Sequence, residues 1–239
     1  MKTMGTLLAL TSWLVVSAAA GAADPPPVQL EQSAYHVPVF KNQYVTVLNI
    51  DIPPGGASDF HQHNRDQVSI YLADYPKEAK GREWGGPVKT IRPNGNGPYA
   101  GDVSFNGYYK DPIVNLGIND TKGPQHMYMV ATLLNSPKVY GFSPETRETQ
   151  GYKQVLDNDR VRAWRLDLQP GETAPTITQQ APGLRVVVHG GNIVEMSPGK
   201  RDRGEWLKAG DFFWQEPGTS RAIKNIGATP VEFIEVEYK

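Results

Sequence analysis

The chain has 239 residues, 24 Lys and Arg against 25 Asp and Glu, a formal charge of −1 and no cysteine. That length suits one large domain or two of about 100 residues each, with enough chain for a core that needs no disulfide or metal staple. The balanced charge, without any run of five like charges, argues against nucleic acid as a partner, because phosphate recognition needs a basic excess.

In chain order, the first feature is an export signal. Lys2 supplies a positive start, Leu7-Leu8-Ala9-Leu10 and Trp13-Leu14-Val15-Val16 an apolar stretch, and Ala20-Gly21-Ala22 a small-residue cleavage site. Residues 1–22 are therefore expected to be a signal peptide removed on export. The stretch is short for a membrane-spanning helix, and nothing after it is apolar enough to span a bilayer. A periplasmic or secreted location follows, with no membrane contact after cleavage. Residues 23–34, opening Ala23-Asp24-Pro25-Pro26-Pro27, read as an extended Pro-rich leader.

An internal repeat comes next. Asn42-Gln43-Tyr44-Val45 through Asp51-Ile52-Pro53-Pro54-Gly55 aligns without a gap to Asn158-Asp159-Arg160-Val161 through Asp167-Leu168-Gln169-Pro170-Gly171. Leu48, Ile50 and Ile52 match the phase of Trp164, Leu166 and Leu168, the period-two pattern of a strand with a buried face. Further on, Gly101-Asp102 matches Gly210-Asp211, and Asn115-Leu116-Gly117 matches Asn225-Ile226-Gly227. An ordered series of matches points to two homologous halves, residues 35–135 and 151–239, joined by a linker at 136–150. Val68-Ser69-Ile70-Tyr71-Leu72, Met127-Tyr128-Met129-Val130, Arg185-Val186-Val187-Val188 and Val231-Glu232-Phe233-Ile234 are strand-like in composition, and no amphipathic helix of three turns is visible. The expected class is all-β, as barrels or sandwiches.

Two motifs now resemble those of the cupin superfamily. Gly55, five residues, His61-Gln62-His63, three residues and Gln67 follow the pattern G-x5-H-x-H-x3-E. Gly210-Asp211, Pro217-Gly218, Arg221 and Asn225 follow G-x5-P-x-G-x2-H-x3-N, with the Pro one place late. The resemblance covers nearly the whole mature chain. It implies two tandem cupin-like barrels of the double-stranded β-helix or jelly-roll type. In such barrels three histidines and a glutamate resemble a metal cage. Here Gln67 stands at the Glu position. The last histidine of the first half falls at Asp111 if Asn115 is the motif's Asn, and at Asn115 if Asn119 is. In the second half Ile177, Gln179 and Arg221 stand at the histidine positions, so no metal is expected there.

His61 and His63 are two apart, so in a strand they share a face, and paired imidazoles suit Fe, Zn, Mn, Ni or Cu. One divalent transition metal is thus expected in the first barrel, with Asp111 or His126 as a third ligand. Gln67 is either a weak oxygen ligand or a partner that orients an imidazole. His36 and His189, lacking partners by spacing, read as structural or surface residues. Arg221 is a candidate for binding a ligand carboxylate, against a structural ion pair. No Gly-x-Ser-x-Gly, Walker loop, dinucleotide fingerprint or HExxH occurs. The resemblance allows a metal-dependent dioxygenase, isomerase, lyase or decarboxylase acting on a small molecule. The other function class is a non-catalytic small-molecule-binding or scaffold protein with a degenerate metal site. The assembly expected is a monomer, the two barrels forming a pseudo-dimer, or a homodimer.

Overall fold

The computed structural model describes residues 24–92, 96–148 and 151–239; the expected signal peptide lies outside them. Among the described residues no helix is long and apolar enough to cross a membrane. The first half runs β1 (Val28–Gln29), β2 (His36–Lys41), β3 (Val45–Ile52), β4 (His61–His63), β5 (Gln67–Tyr71), β6 (Ala79–Glu83), β7 (Val88–Thr90), β8 (Val103–Asn106), β9 (Ile113–Asn119) and β10 (Met127–Leu134). The second runs β11 (Lys153–Asp157), β12 (Val161–Leu168), β13 (Ile177–Thr178), β14 (Gly183–His189), β15 (Gly191–Met196), β16 (Arg203–Leu207), β17 (Phe212–Gln215), β18 (Ser220–Asn225) and β19 (Val231–Tyr238).

The duplication is legible in the sheet order. β2-β3-β10-β5-β8 in the first half repeats as β11-β12-β19-β14-β17 in the second. β4-β9-β6-β7 repeats as β13-β18-β15-β16. The turns repeat as well. Gly55 and Gly171 both adopt positive φ, 75° and 84°, a conformation open to glycine at little cost. Their N–H groups donate to the carbonyls of Asn119 and Asn225 respectively, at 2.7 and 2.9 Å.

Those two asparagines are the firmest equivalence. Both are fully buried. The Asn119 Nδ2 donates to the Ile52 and Gln125 carbonyls, each at 2.9 Å, and the Asn225 Nδ2 to Leu168 and Thr229 at 3.0 and 2.8 Å. Each amide thus donates to two carbonyls, one of them in a buried bond, Ile52 in the first half and Leu168 in the second. Replacing Asn225 by Ala takes this donor from the buried Leu168 carbonyl and is expected to cost about 1–3 kcal/mol. A lower urea midpoint at unchanged m-value would register that loss, and a midpoint within error of wild type would refute it.

One element departs from the sequence expectation. Of the expected leader at 23–34, the described residues 24–34 are not separate from the barrel. β1 pairs in parallel with β4, Val28 opposite His61, and Leu30 packs into the first barrel's core. Among the described residues this strand has no counterpart in the second half.

The halves share one apolar layer. Val45, Val47, Ile70 and Val130 from the first barrel pack in the same cluster as Val161, Val186, Ile234 and Val236 from the second. The alternate residues of the same strands face the barrel interiors. Leu48, Ile50 and Ile52 fill the first interior, and Trp164, Leu166 and Leu168 the second. In β3 both faces are therefore buried over Val45, Thr46, Val47 and Leu48, and in β12 Val161 and Ala163 on one face and Trp164, Leu166 and Leu168 on the other are buried.

Candidate metal centre

β4 is only three residues long, and its two histidines are buried while Gln62 between them is half-buried. The Nε2 atoms of His61 and His63 lie 3.1 Å apart. Each ring is anchored through its other nitrogen. The His61 Nδ1 sits 2.9 Å from the Asp59 carbonyl and 3.1 Å from the Ser33 hydroxyl. The His63 Nδ1 sits 3.1 Å from the Gln67 Oε1, and the Gln67 Nε2 donates to the Ser69 hydroxyl at 2.9 Å. A carbonyl can only accept, so each Nδ1 carries the proton and each Nε2 presents a lone pair.

A third acceptor joins them. The Asn115 Oδ1 lies 3.2 Å from the His63 Nε2, because β9 pairs with β4 and sets Asn115 opposite His61. Two imidazole nitrogens and an amide oxygen thus face one another with no donor between them. Burial is the main cause holding the histidines neutral. It acts together with His36 and His63 to bring the His61 ring down to about 3. Burial likewise lowers His63, against Gln67 and Asn115, whose oxygens would accept from the protonated ring.

This donor set fits a transition metal. Two nitrogens on one ion at about 2.1 Å lie about 3.0–3.4 Å apart for bond angles of about 90–109°, and the observed separation is 3.1 Å. The set contains no carboxylate. Among the described residues no group of three or more His, Asp and Glu gathers in a way that would hold a metal.

Of the residues expected at the site, His61, His63 and Gln67 come together, and Gln67 orients His63 through its Nδ1. Asp111 does not join them. Asn119, not Asn115, matches Asn225, so the position of the last histidine is Asn115, and Asp111 lies exposed on the turn before β9. His126 does not join them either. It precedes Met127, which lines the cavity, so its side chain lies on the opposite face, exposed and 2.6 Å from the Asp51 carboxylate. Arg221 is buried, and its Nη2 donates to Glu235 at 3.0 Å, so the ion pair displaces the expectation of ligand binding.

His36 was the residue that spacing could not find. It is buried, lines the cavity, and its ring centroid is 4.6 Å from that of His61. Burial lowers its pKa, against a hydrogen bond to the Ala34 carbonyl. The cavity in front of these three histidines has a volume of about 320 Å³. Tyr71, Tyr75 and Tyr108 line it with Ile50, Ile52, Met127 and Met129. The Tyr108 ring lies 4.6 Å from that of His63.

No family model and no curated protein matches the chain. Solved structures do. A cupin 2 conserved barrel domain protein from Leptotrichia buccalis superposes with a TM-score of 0.52 at 7% identity, over 90% of this chain and 92% of that one. The chain has the cupin fold. AerE from Microcystis aeruginosa gives a TM-score of 0.57 at 9% identity, over 85% of this chain and 97% of that one. Salicylate 1,2-dioxygenase from Pseudoaminobacter salicylatoxidans, solved with gentisate, gives 0.52 at 10% identity, over 82% of this chain and 69% of that one. Cupin-fold neighbours thus include a dioxygenase, and the tandem sheets of this chain make the fold twice.

Proposed function

We propose that this protein is an exported bicupin whose first barrel is a metal-dependent small-molecule site. His61 and His63 hold one divalent transition metal, Fe, Zn, Mn, Ni or Cu, and Asn115 supplies an oxygen. The convergence of three lone-pair donors without a proton between them carries this reading, since a cation relieves their mutual repulsion. When bound, such an ion supplies Lewis acidity or oxygen activation. The chain's own residues supply the rest. Asp59, Ser33 and Gln67 fix both imidazoles in the ligating tautomer. Neutral His36 stands beside them as a proton acceptor. Burial raises the pKa of Tyr71 and Tyr108, keeping these phenols as hydrogen-bond donors. Export rests on the pattern of residues 1–22. The shared apolar layer supports a monomer in which one barrel serves as the other's partner.

The absence of a carboxylate from the donor set favours a second reading, a binding protein without turnover. Metal analysis tests the first. The purified chain, stripped and reconstituted, is expected to hold one metal per molecule, and His61→Ala or His63→Ala to weaken the affinity at least 100-fold. Sub-stoichiometric metal in the reconstituted wild type would overturn it. Ligand-induced thermal stabilisation that persists in EDTA and in the double variant would support the second reading instead.

A further inference from the structure

We propose that the first barrel takes up its metal together with a small organic anion, so that the ligand and not the protein balances the ion's charge. This rests on the metal-site reading above and names its ligand class. His61, His63 and Asn115 are neutral donors, and Gln67 stands where the family motif carries a carboxylate. The charged residues lining the cavity hold their charges elsewhere. Glu83 and Lys89 are 69% and 68% exposed, and Arg82 pairs with Asp24. The charges next to the motif turn away as well, Arg65 to Glu31 and Asp66 to Arg160.

A divalent ion on this cage keeps its full charge in a buried site, which is costly unless an opposite charge accompanies it. An anion coordinated beside it removes much of that cost. The cavity also has room for more than hydroxide. Its walls of Ile50, Ile52, Met127 and Met129, faced by Tyr71 and Tyr108, suit an apolar or aromatic body. Tyr75 lines the same space, and its buried hydroxyl has no hydrogen-bond partner among the described residues.

Linkage makes this testable without an activity assay, because the factor by which the anion tightens the metal is the factor by which the metal tightens the anion. Zn²⁺ binding to the full chain is measured by calorimetry in chloride-free buffer, alone and with azide or benzoate. Benzoate is expected to tighten Zn²⁺ at least tenfold, and benzoate alone in EDTA to bind undetectably. Asn115→Asp places one negative charge in the cage. It is expected to bind Zn²⁺ at least tenfold more tightly than wild type without any anion, and to keep less than a threefold gain from benzoate. Gln67→Glu gives the same readout if Asn115→Asp fails to fold. Zn²⁺ affinity insensitive to both anions, or a charged variant that retains the wild-type anion effect, would overturn the proposal. Absence of Zn²⁺ binding under every condition, by contrast, would overturn the metal-site reading beneath it.

Discussion

Arg147→Ala is expected to lower stability by about 3–5 kcal/mol, the size of effect seen when one partner of a buried ion pair is removed. The guanidinium is 5% exposed and bridges Glu235 and Glu237, with Gln179 as a further acceptor at 3.1 Å. Its Cζ lies 5.2 Å above the Tyr152 ring. Burial alone would raise both carboxyls. Arg185 and Arg147 nevertheless hold Glu235 below its ordinary value, whereas Glu237 rises despite Arg147. Without Arg147, Glu237 keeps only Gln179 and Trp164 as donors and is left to bind a proton. Arg147→Lys is expected to recover little, because one ammonium does not reproduce a planar fork between two carboxylates. Thermal and urea unfolding at neutral pH check this, and a loss under about 1 kcal/mol would show that the network is not under strain from burial.

The same network explains why the two barrels differ as sites. Pairing aligns Ala131 with Ser69 in the first half and Glu235 with Arg185 in the second. His61 opposite Asn115 becomes Ile177 opposite Arg221. Where the first interior has small side chains and a cavity, the second has Arg185, Arg221, Glu235 and Glu237, joined by Arg147 from the segment between the barrels. The charged groups occupy the space that the first barrel leaves to a ligand.

Much of this was legible in sequence wherever a period or a turn carried it. The Pro-Gly turns and the two-residue spacing of His61 and His63 are local, and they suffice to show a repeated strand order and an inward pair. Choosing between Asp111 and Asn115 needed more, because the turn at Gly107–Pro112 changes the spacing, and only the shared bonding of Asn119 and Asn225 resolves it. Arg147 was hidden by its surroundings, a stretch with Pro137 and Pro144 that reads as a linker. β19 misleads in a further way. Its Glu235 and Glu237 alternate with Ile234, Val236 and Tyr238, which resembles an apolar inside and a polar outside. Both faces are in fact buried: the apolar one lies between the barrels and the charged one fills an interior. Period two reveals that faces differ, not which of them meets water.

The second large effect is acid sensitivity of the metal-free protein. His36, His61 and His63 all have folded pKa values below the ordinary 6.5, with burial the leading cause and His61 falling to about 3. A buried neutral histidine binds fewer protons than it does unfolded, so stability rises with pH across the gap and is lost as pH falls below about 6.5. For His61 that loss continues toward pH 3. In EDTA, stability is expected to be flat above about pH 7.5 and to drop by about 2–5 kcal/mol by pH 5. The carboxylates held below their ordinary values, Glu235, Asp157 and Asp120, add their losses only at lower pH. Glu237, whose folded pKa is raised, works in the opposite sense. Urea midpoints between pH 7.5 and 5 measure the slope, and the triple variant His36→Gln, His61→Gln, His63→Gln isolates its source. The variant is expected to lose at least half of the wild-type slope. If it keeps the full slope, the acid sensitivity belongs to other groups, and the three imidazoles are not held neutral by the barrel.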